Sequence, residues 1–210
     1  MNVAALLWIL QTKSIFFTRI TKLQRDDPYE GAMSRSLKRL SGDKEEAVAK
    51  GVPVSAELED DSKFACVNCW HLNEEESAAM WKLYSSDLGV AIQSRVSILE
   101  GIFAGKNVNM ALVQYIDFEG DELPALAYPA YHKRKSFSHE KELRLVILDH
   151  DTDTHPDGVP VNVDLAKLLI RVYVSPSAKP WIADVVCREL KHYGLATSVI
   201  HSSLYSRALK

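Results

Sequence analysis

The sequence predicts an α+β fold, a mixed and largely antiparallel sheet with flanking helices in a single domain over 1–210. Short strand-like runs alternate irregularly with helical periods, without the steady strand, helix, strand rhythm that a doubly wound parallel sheet requires. A chain of 210 residues with 47% hydrophobic content can bury a core without a disulfide or a structural metal, so its three cysteines need not form a framework.

Val3, Leu6, Leu7 and Leu10 recur at helical spacing, and Trp8 and Ile9 widen that face, so residues 1–10 read as a buried helix. The segment lacks a basic start and a small-residue cleavage site and is read as core, not as an export signal. Residues 14–18 are aromatic and branched and run into the turn signal Asp26-Asp27-Pro28, which predicts a strand and a loop. Residues 34–62 are polar, with Arg35, Lys38 and Arg39 on a helix and an acidic stretch at 57–61, and read as a surface excursion or lid.

A strand over 64–70 leads to a helix that Asn73 would cap, with Glu76 three residues on, and that Gly89 would end. Strands at 90–94 and 111–117 flank a helix over 95–103. Residues 140–148 form a further strand, and strands at 169–174 and 197–201 flank a helix over 178–193 that Gly194 terminates.

The balance of 25 basic and 28 acidic residues, net −3, offers no global field for a polyanion. Nucleic acid is therefore not indicated as a partner, and any phosphate site must be local. No apolar run approaches the roughly 20 residues that span a bilayer, so no membrane partner and a cytoplasmic location are expected.

The most informative segment is 140–148. Alternation along a strand would place Glu140, Glu142 and Arg144 on one face and Leu143, Leu145 and Ile147 on the other. Two carboxylates and a guanidinium so close suit a ligand site or acid/base chemistry, and equally a face of structural ion pairs. Just upstream, His132-Lys133-Arg134-Lys135 concentrates positive charge that could meet a phosphate or simply be solvated.

Trp70, Trp81 and Tyr84 bracket Glu76 and Ser77 and could stack a planar ring, although core packing also accounts for Trp81. Cys66 and Cys69, three apart on a strand, would face opposite sides, and no second pair completes a tetrahedral zinc site. The carboxylate-rich run 149–158 lacks the glycine and the closing glutamate of a calcium loop and reads as a polar hairpin or excursion. No metal site is expected. Walker, dinucleotide and nucleophile-elbow motifs are absent from the sequence.

Taken together, Leu10-Gln11-Thr12-Lys13-Ser14-Ile15-Phe16-Phe17-Thr18-Arg19, Asp27-Pro28-Tyr29-Glu30-Gly31, Cys69-Trp70-His71, Glu76-Ser77, Met80-Trp81, Gly89-Val90-Ala91-Ile92, Lys133-Arg134-Lys135-Ser136-Phe137, His139-Glu140 and Glu142-Leu143-Arg144 resemble the bacterial family called domain of unknown function 2971. Val174-Ser175-Pro176 and Tyr193-Gly194-Leu195 fit as well, so the resemblance covers essentially the whole chain. Members carry an additional Tyr- and Arg-containing strand before the segment matching 1–10. The resemblance thus implies a truncated start or a sheet that begins one strand late.

A more distant analogy is to ADP-ribosyltransferases, whose NAD site uses an Arg or His, a Ser/Thr-bearing strand and a Glu-x-Glu pair. By that analogy Glu142 would hold the nicotinamide-ribose hydroxyls, Glu140 would orient the acceptor, and Thr18 would brace the site. The expected ligand is nucleotide-like, with NAD as substrate. Catalytic residues would be Glu142 and Glu140, and Thr18, Arg19, Trp70, Trp81, Lys133, Lys135 and Arg144 would line the pocket. The rival expectation is a non-catalytic binding or interaction module of a defence or toxin-like cassette. A metal-dependent nuclease would need a Glu-x-Lys order that Glu140-Lys141-Glu142 lacks.

Overall fold

The structure, a computed structural model, describes residues 1–49, 62–85 and 88–206. It is α+β, with a mostly antiparallel five-stranded sheet, two smaller sheets and surrounding helices. The chain forms two compact units, each assembled from separate stretches of sequence.

The first unit comprises Met1–Ile15, Asn73–Lys106 and Val161–Lys210. Helix α1 (Val3–Thr12) is capped by the Asn2 side chain, which accepts from the Ala5 amide, and it buries Leu6, Ile9 and Leu10. A three-stranded sheet contains β3 (Val90–Gln93), β9 (Arg171–Val174) and β10 (Ser198–His201), with β9 central, antiparallel to β3 and parallel to β10. Helix α8 (Trp181–His192) buries Ile182, Val186 and Leu190, one residue per turn along a single stripe.

Helix α5 (Ala78–Tyr84) starts later than the sequence suggests. Its cap is Ser77, whose hydroxyl accepts from the Met80 amide, whereas the Asn73 side chain bonds to its neighbours Glu74 and Glu75. The helix also ends at Tyr84, before Gly89.

The second unit comprises Phe16–Leu72 and Asn107–Pro160 and is built on the five-stranded sheet. Strand β1 (Ser14–Arg19), β2 (Ala65–His71), β4 (Asn109–Leu112), β7 (Glu142–Leu148) and β8 (Gly158–Asn162) stand in the order β4-β7-β2-β1-β8. The β2–β7 ladder is the spine, running from Ala65 opposite Leu148 to His71 opposite Glu142. One face carries Val67 and Val146 and packs against Ile20, Ala130 and Tyr131 in a buried cluster.

Two expectations are resolved here. The strand predicted at 111–117 is two strands, because the chain leaves β7 at Val113. Residues Gln114–Ile116 form β5, which pairs in parallel with β6 (His132–Arg134). The run 149–158 is the polar excursion and not the hairpin, since β8 is placed beside β1 and not beside β7.

Residues 34–49 are also more than a solvated excursion. Helix α3 (Arg35–Gly42) buries Leu37 and Leu40, and Ser34 and Ser36 at its start are buried too. The acidic stretch 57–61 lies outside the described residues.

Candidate functional site

Directly opposed residues of an antiparallel ladder share a face. Glu142 lies opposite His71, and Arg144 lies opposite Cys69 on one side and Ala111 on the other, so Glu142 and Arg144 share the face that packs on Ile20 and Tyr131. Glu140 reaches the same place by a different route. It ends a 3-10 stretch, Lys135–Glu140, and Lys141 then adopts a left-handed conformation (φ 42°) before β7 begins. The Glu-x-Glu pair is therefore not a pair on one strand face.

Five buried charged side chains converge there. Arg144 is fully buried and reaches Glu142 through Nε to Oε1 at 2.6 Å and a second nitrogen to Oε2 at 3.0 Å. Its Nη1 also donates to Glu30 Oε2 at 2.9 Å and to the Ala130 carbonyl at 2.8 Å. Lys133 pairs with Glu140, with Glu142 at 3.4 Å and with Glu30 at 3.3 Å. Three carboxylates thus meet two cations, leaving one formal negative charge in the network.

The electrostatics follow from that packing. Burial opposes ionisation of Glu142, but the charge and hydrogen bonds of Arg144, with Lys133, hold its pKa below the usual range. Burial likewise works against the Lys133 ammonium, and Glu142, Glu30 and Glu140 overcome it, so its pKa is raised. Cys69 stands opposite Arg144 in the ladder, and the Glu142 amide donates to the Tyr115 hydroxyl at 2.8 Å. Burial is the main cause of a raised Tyr115 pKa. His71 Nδ1 is bonded to the Glu140 carbonyl, while its Nε2 is buried without a partner among the described residues.

Of the residues singled out in the sequence, Lys133, Glu140, Glu142 and Arg144 are brought together. Thr18 lies on the same sheet face but farther along, opposite Val67. Arg19 and Trp70 point to the other face, because they stand opposite Cys66 and Leu143. Arg19 is committed there, to Asp149 at 2.6 Å and to the His155 carbonyl. Trp70 donates to Asn68. Lys135 is exposed. Trp81 belongs to the first unit, where it is buried and donates to Glu76 at 2.8 Å.

Glu30, Tyr115, Cys69 and His71 are the members that sequence reasoning did not place in the site. Glu30 follows the turn signal Asp27-Pro28, and what delivers it is Gly31. At φ 72°, with Ile20 side-chain atoms only 3.2 Å from where a Cβ would stand, Gly31 lets the loop lie against the sheet. A carboxylate beside a glycine in a turn was the available signal. Asp27, from the same loop, accepts from Arg134 at 2.8 Å, and Arg134 in turn lies over the rings of Tyr29 and Phe137.

Fold and site together define an α+β protein with a buried carboxylate, ammonium and guanidinium network. No family model, curated protein or solved structure matches the chain. Among the described residues no group of His, Cys, Asp and Glu is arranged to hold a metal ion.

Proposed function

We propose that this chain is an enzyme acting on a nucleotide-type ligand, resembling the ADP-ribosyltransferases and using NAD as substrate, with Glu142 as the charge-stabilising carboxylate. The observation that carries the reading is the surplus negative charge of the network, three carboxylates on two cations held in fixed geometry. A preorganised anion lowers the energy of a transition state in which positive charge develops. Cleavage of the nicotinamide–ribose bond creates such a state. Nicotinamide departs with the bonding electrons, the ribosyl carbon becomes oxocarbenium-like, and a nucleophile adds there and releases its proton. Glu142, kept ionised by Arg144, would stabilise the ribosyl cation, and Glu140 would orient the acceptor.

The convergence of separate segments adds support. Residues 27–31, 133–137, 139–140 and 142–144 all carry the resemblance to domain of unknown function 2971, and they supply the ionic core of the network. Arg19 and Trp70 have no part in the reading, because they occupy the other face of the sheet.

A second reading, a non-catalytic binding module, is favoured by one observation: Glu140 and Glu142 are each only 5% exposed. Turnover separates the two. Purified protein incubated with NAD should release nicotinamide, and Glu142→Gln should abolish release while leaving the circular dichroism spectrum unchanged. Absence of nicotinamide release from the unaltered protein with NAD and candidate acceptors would overturn the enzyme reading.

A further inference from the structure

Strand β4 forms one edge of the five-stranded sheet and β8 the other. In an antiparallel ladder, residues that exchange hydrogen bonds with the neighbouring strand alternate with residues whose amides and carbonyls point away from it. The Val113 amide donates to the Glu142 carbonyl at 2.9 Å, which fixes that alternation between β4 and β7. Asn109 and Ala111 are then the residues bonded to β7, opposite Val146 and Arg144. Met110 and Leu112 turn their backbone groups to the open side. Among the described residues no backbone bond joins those groups to another element.

The two edges are built differently. At the ends of β8 the Arg19 amide donates to the Asp157 carbonyl and the Val163 amide to the Lys13 carbonyl, so Gly158, Pro160 and Asn162 turn their backbone outward. Pro160 has no amide to offer there, and proline on an edge strand blocks further pairing. Over Asn109–Leu112, β4 carries neither a proline nor a charge. It presents apolar side chains instead. Leu112, 55% exposed, and Leu72, 43% exposed, are the most exposed large apolar residues described in the second unit. Both lie at one end of one sheet face, because Leu143 stands opposite Leu112 and Trp70, and Leu72 is two residues beyond Trp70.

We propose that β4 pairs with β4 of a second copy of this chain, antiparallel across a two-fold axis at Ala111, so that one sheet runs through both copies. The outward backbone groups set the register. Met110 lies opposite the partner's Leu112 and exchanges amide and carbonyl bonds with it, and Ala111 faces the partner's Ala111 as a non-bonded pair. Opposed side chains share a face, so Met110 and Leu112 of both copies form an apolar row continuous with Leu143 and Trp70. An uncharged strand suits self-pairing, since no like charges meet across the axis. Pro160 at the opposite edge prevents head-to-tail addition of further copies, so the assembly closes at a dimer.

Light scattering of the full chain over a series of concentrations tests the pairing. The mass should rise with concentration towards twice that of the chain. Leu112→Lys places a charge on the exposed edge, and it should hold the chain at single-chain mass throughout while keeping the parent circular dichroism spectrum. Register is read by mild oxidation of cysteine variants in a Cys69→Ser background, because the Cys69 thiol is exposed. Ala111→Cys should give a covalent dimer, since a non-bonded pair brings its Cα atoms to about 4.5 Å, within reach of a disulfide. Asn109→Cys, displaced from its own mate in this register, should cross-link several-fold less. A chain that stays single at every concentration overturns the proposal and leaves the edge to a strand from another protein. It is equally overturned if Leu112→Lys dimerises like the parent, or if Asn109→Cys cross-links as readily as Ala111→Cys.

Discussion

Arg144 clasps Glu142, its neighbour two positions back on β7, through two nitrogens and two carboxylate oxygens at 2.6 and 3.0 Å. The same guanidinium holds Glu30, 114 residues away in sequence, at 2.9 Å. A local pair and a long-range pair are thus made by one fully buried side chain.

Removing that side chain should be costly. Arg144→Ala leaves buried carboxylates with only Lys133 to balance them, and breaking a buried pair typically destabilises by about 3–5 kcal/mol. Glu140→Gln, which brings the network to formal neutrality, should cost distinctly less. Urea unfolding of both variants measures the difference, and equal losses would contradict this account of the network.

Acid should destabilise the protein in two phases. His132 has its pKa lowered from 6.5, chiefly by burial, so the folded state resists its protonation and stability falls as pH drops below about 6.5. Glu142 has its pKa lowered from 4.5 in the fold. Its contribution is present above that value and is lost as pH falls through the folded pKa. Melting temperature recorded against pH should show both phases. His132→Gln should remove the first, and Glu142→Gln should flatten the second.

Alkali works in the other direction on Lys133. Its pKa is raised, so its stabilisation is fully present below the unfolded value of 10.5 and disappears only as pH climbs through the folded pKa. Lys133→Met should lower stability at neutral pH by about 3–5 kcal/mol, since it strands carboxylates in the interior. A variant as stable as the parent would show that the ammonium is dispensable.

Gly158 has φ 129°, and a Cβ there would stand 2.0 Å from the Phe17 carbonyl oxygen. Backbone strain of that kind costs about 1–3 kcal/mol before any steric displacement. Gly158→Ala should therefore lower the melting temperature sharply. Replacement of Gly105, which has φ 73° but open space around it, should cost less.

The helix cap offers a direct comparison of sequence expectation with fold. Ser77→Ala should destabilise by about 1 kcal/mol, because its hydroxyl serves the Met80 amide. Asn73→Ala should be close to neutral. Denaturant midpoints of the two variants would reverse in order if Asn73 were the true cap.

Periodicity and turn chemistry were sufficient to mark α1, β1, β2, β3 and α8 within a few residues, because local patterns of apolar side chains create those elements. They failed where the choice was tertiary. Asn73 and Ser77 are equally good caps by composition, and the structure has Ser77 as the cap of α5. Residues 111–117 look like one strand, yet two different partners, β7 and β6, divide them.

The candidate site divides along the same line. The sequence by itself determined that Lys133, Glu140, Glu142 and Arg144 are close along the chain, and that β7 must bury Leu143 and Leu145. Only the tertiary structure decided that β7 is buried on both faces, which forces every charge on it to find a partner out of water. Glu30 answers Arg144 from a distant turn, and Arg19 is turned by strand alternation to Asp149 on the far face. Alternation and burial are properties of neighbouring strands, and no single stretch of sequence contains its neighbours.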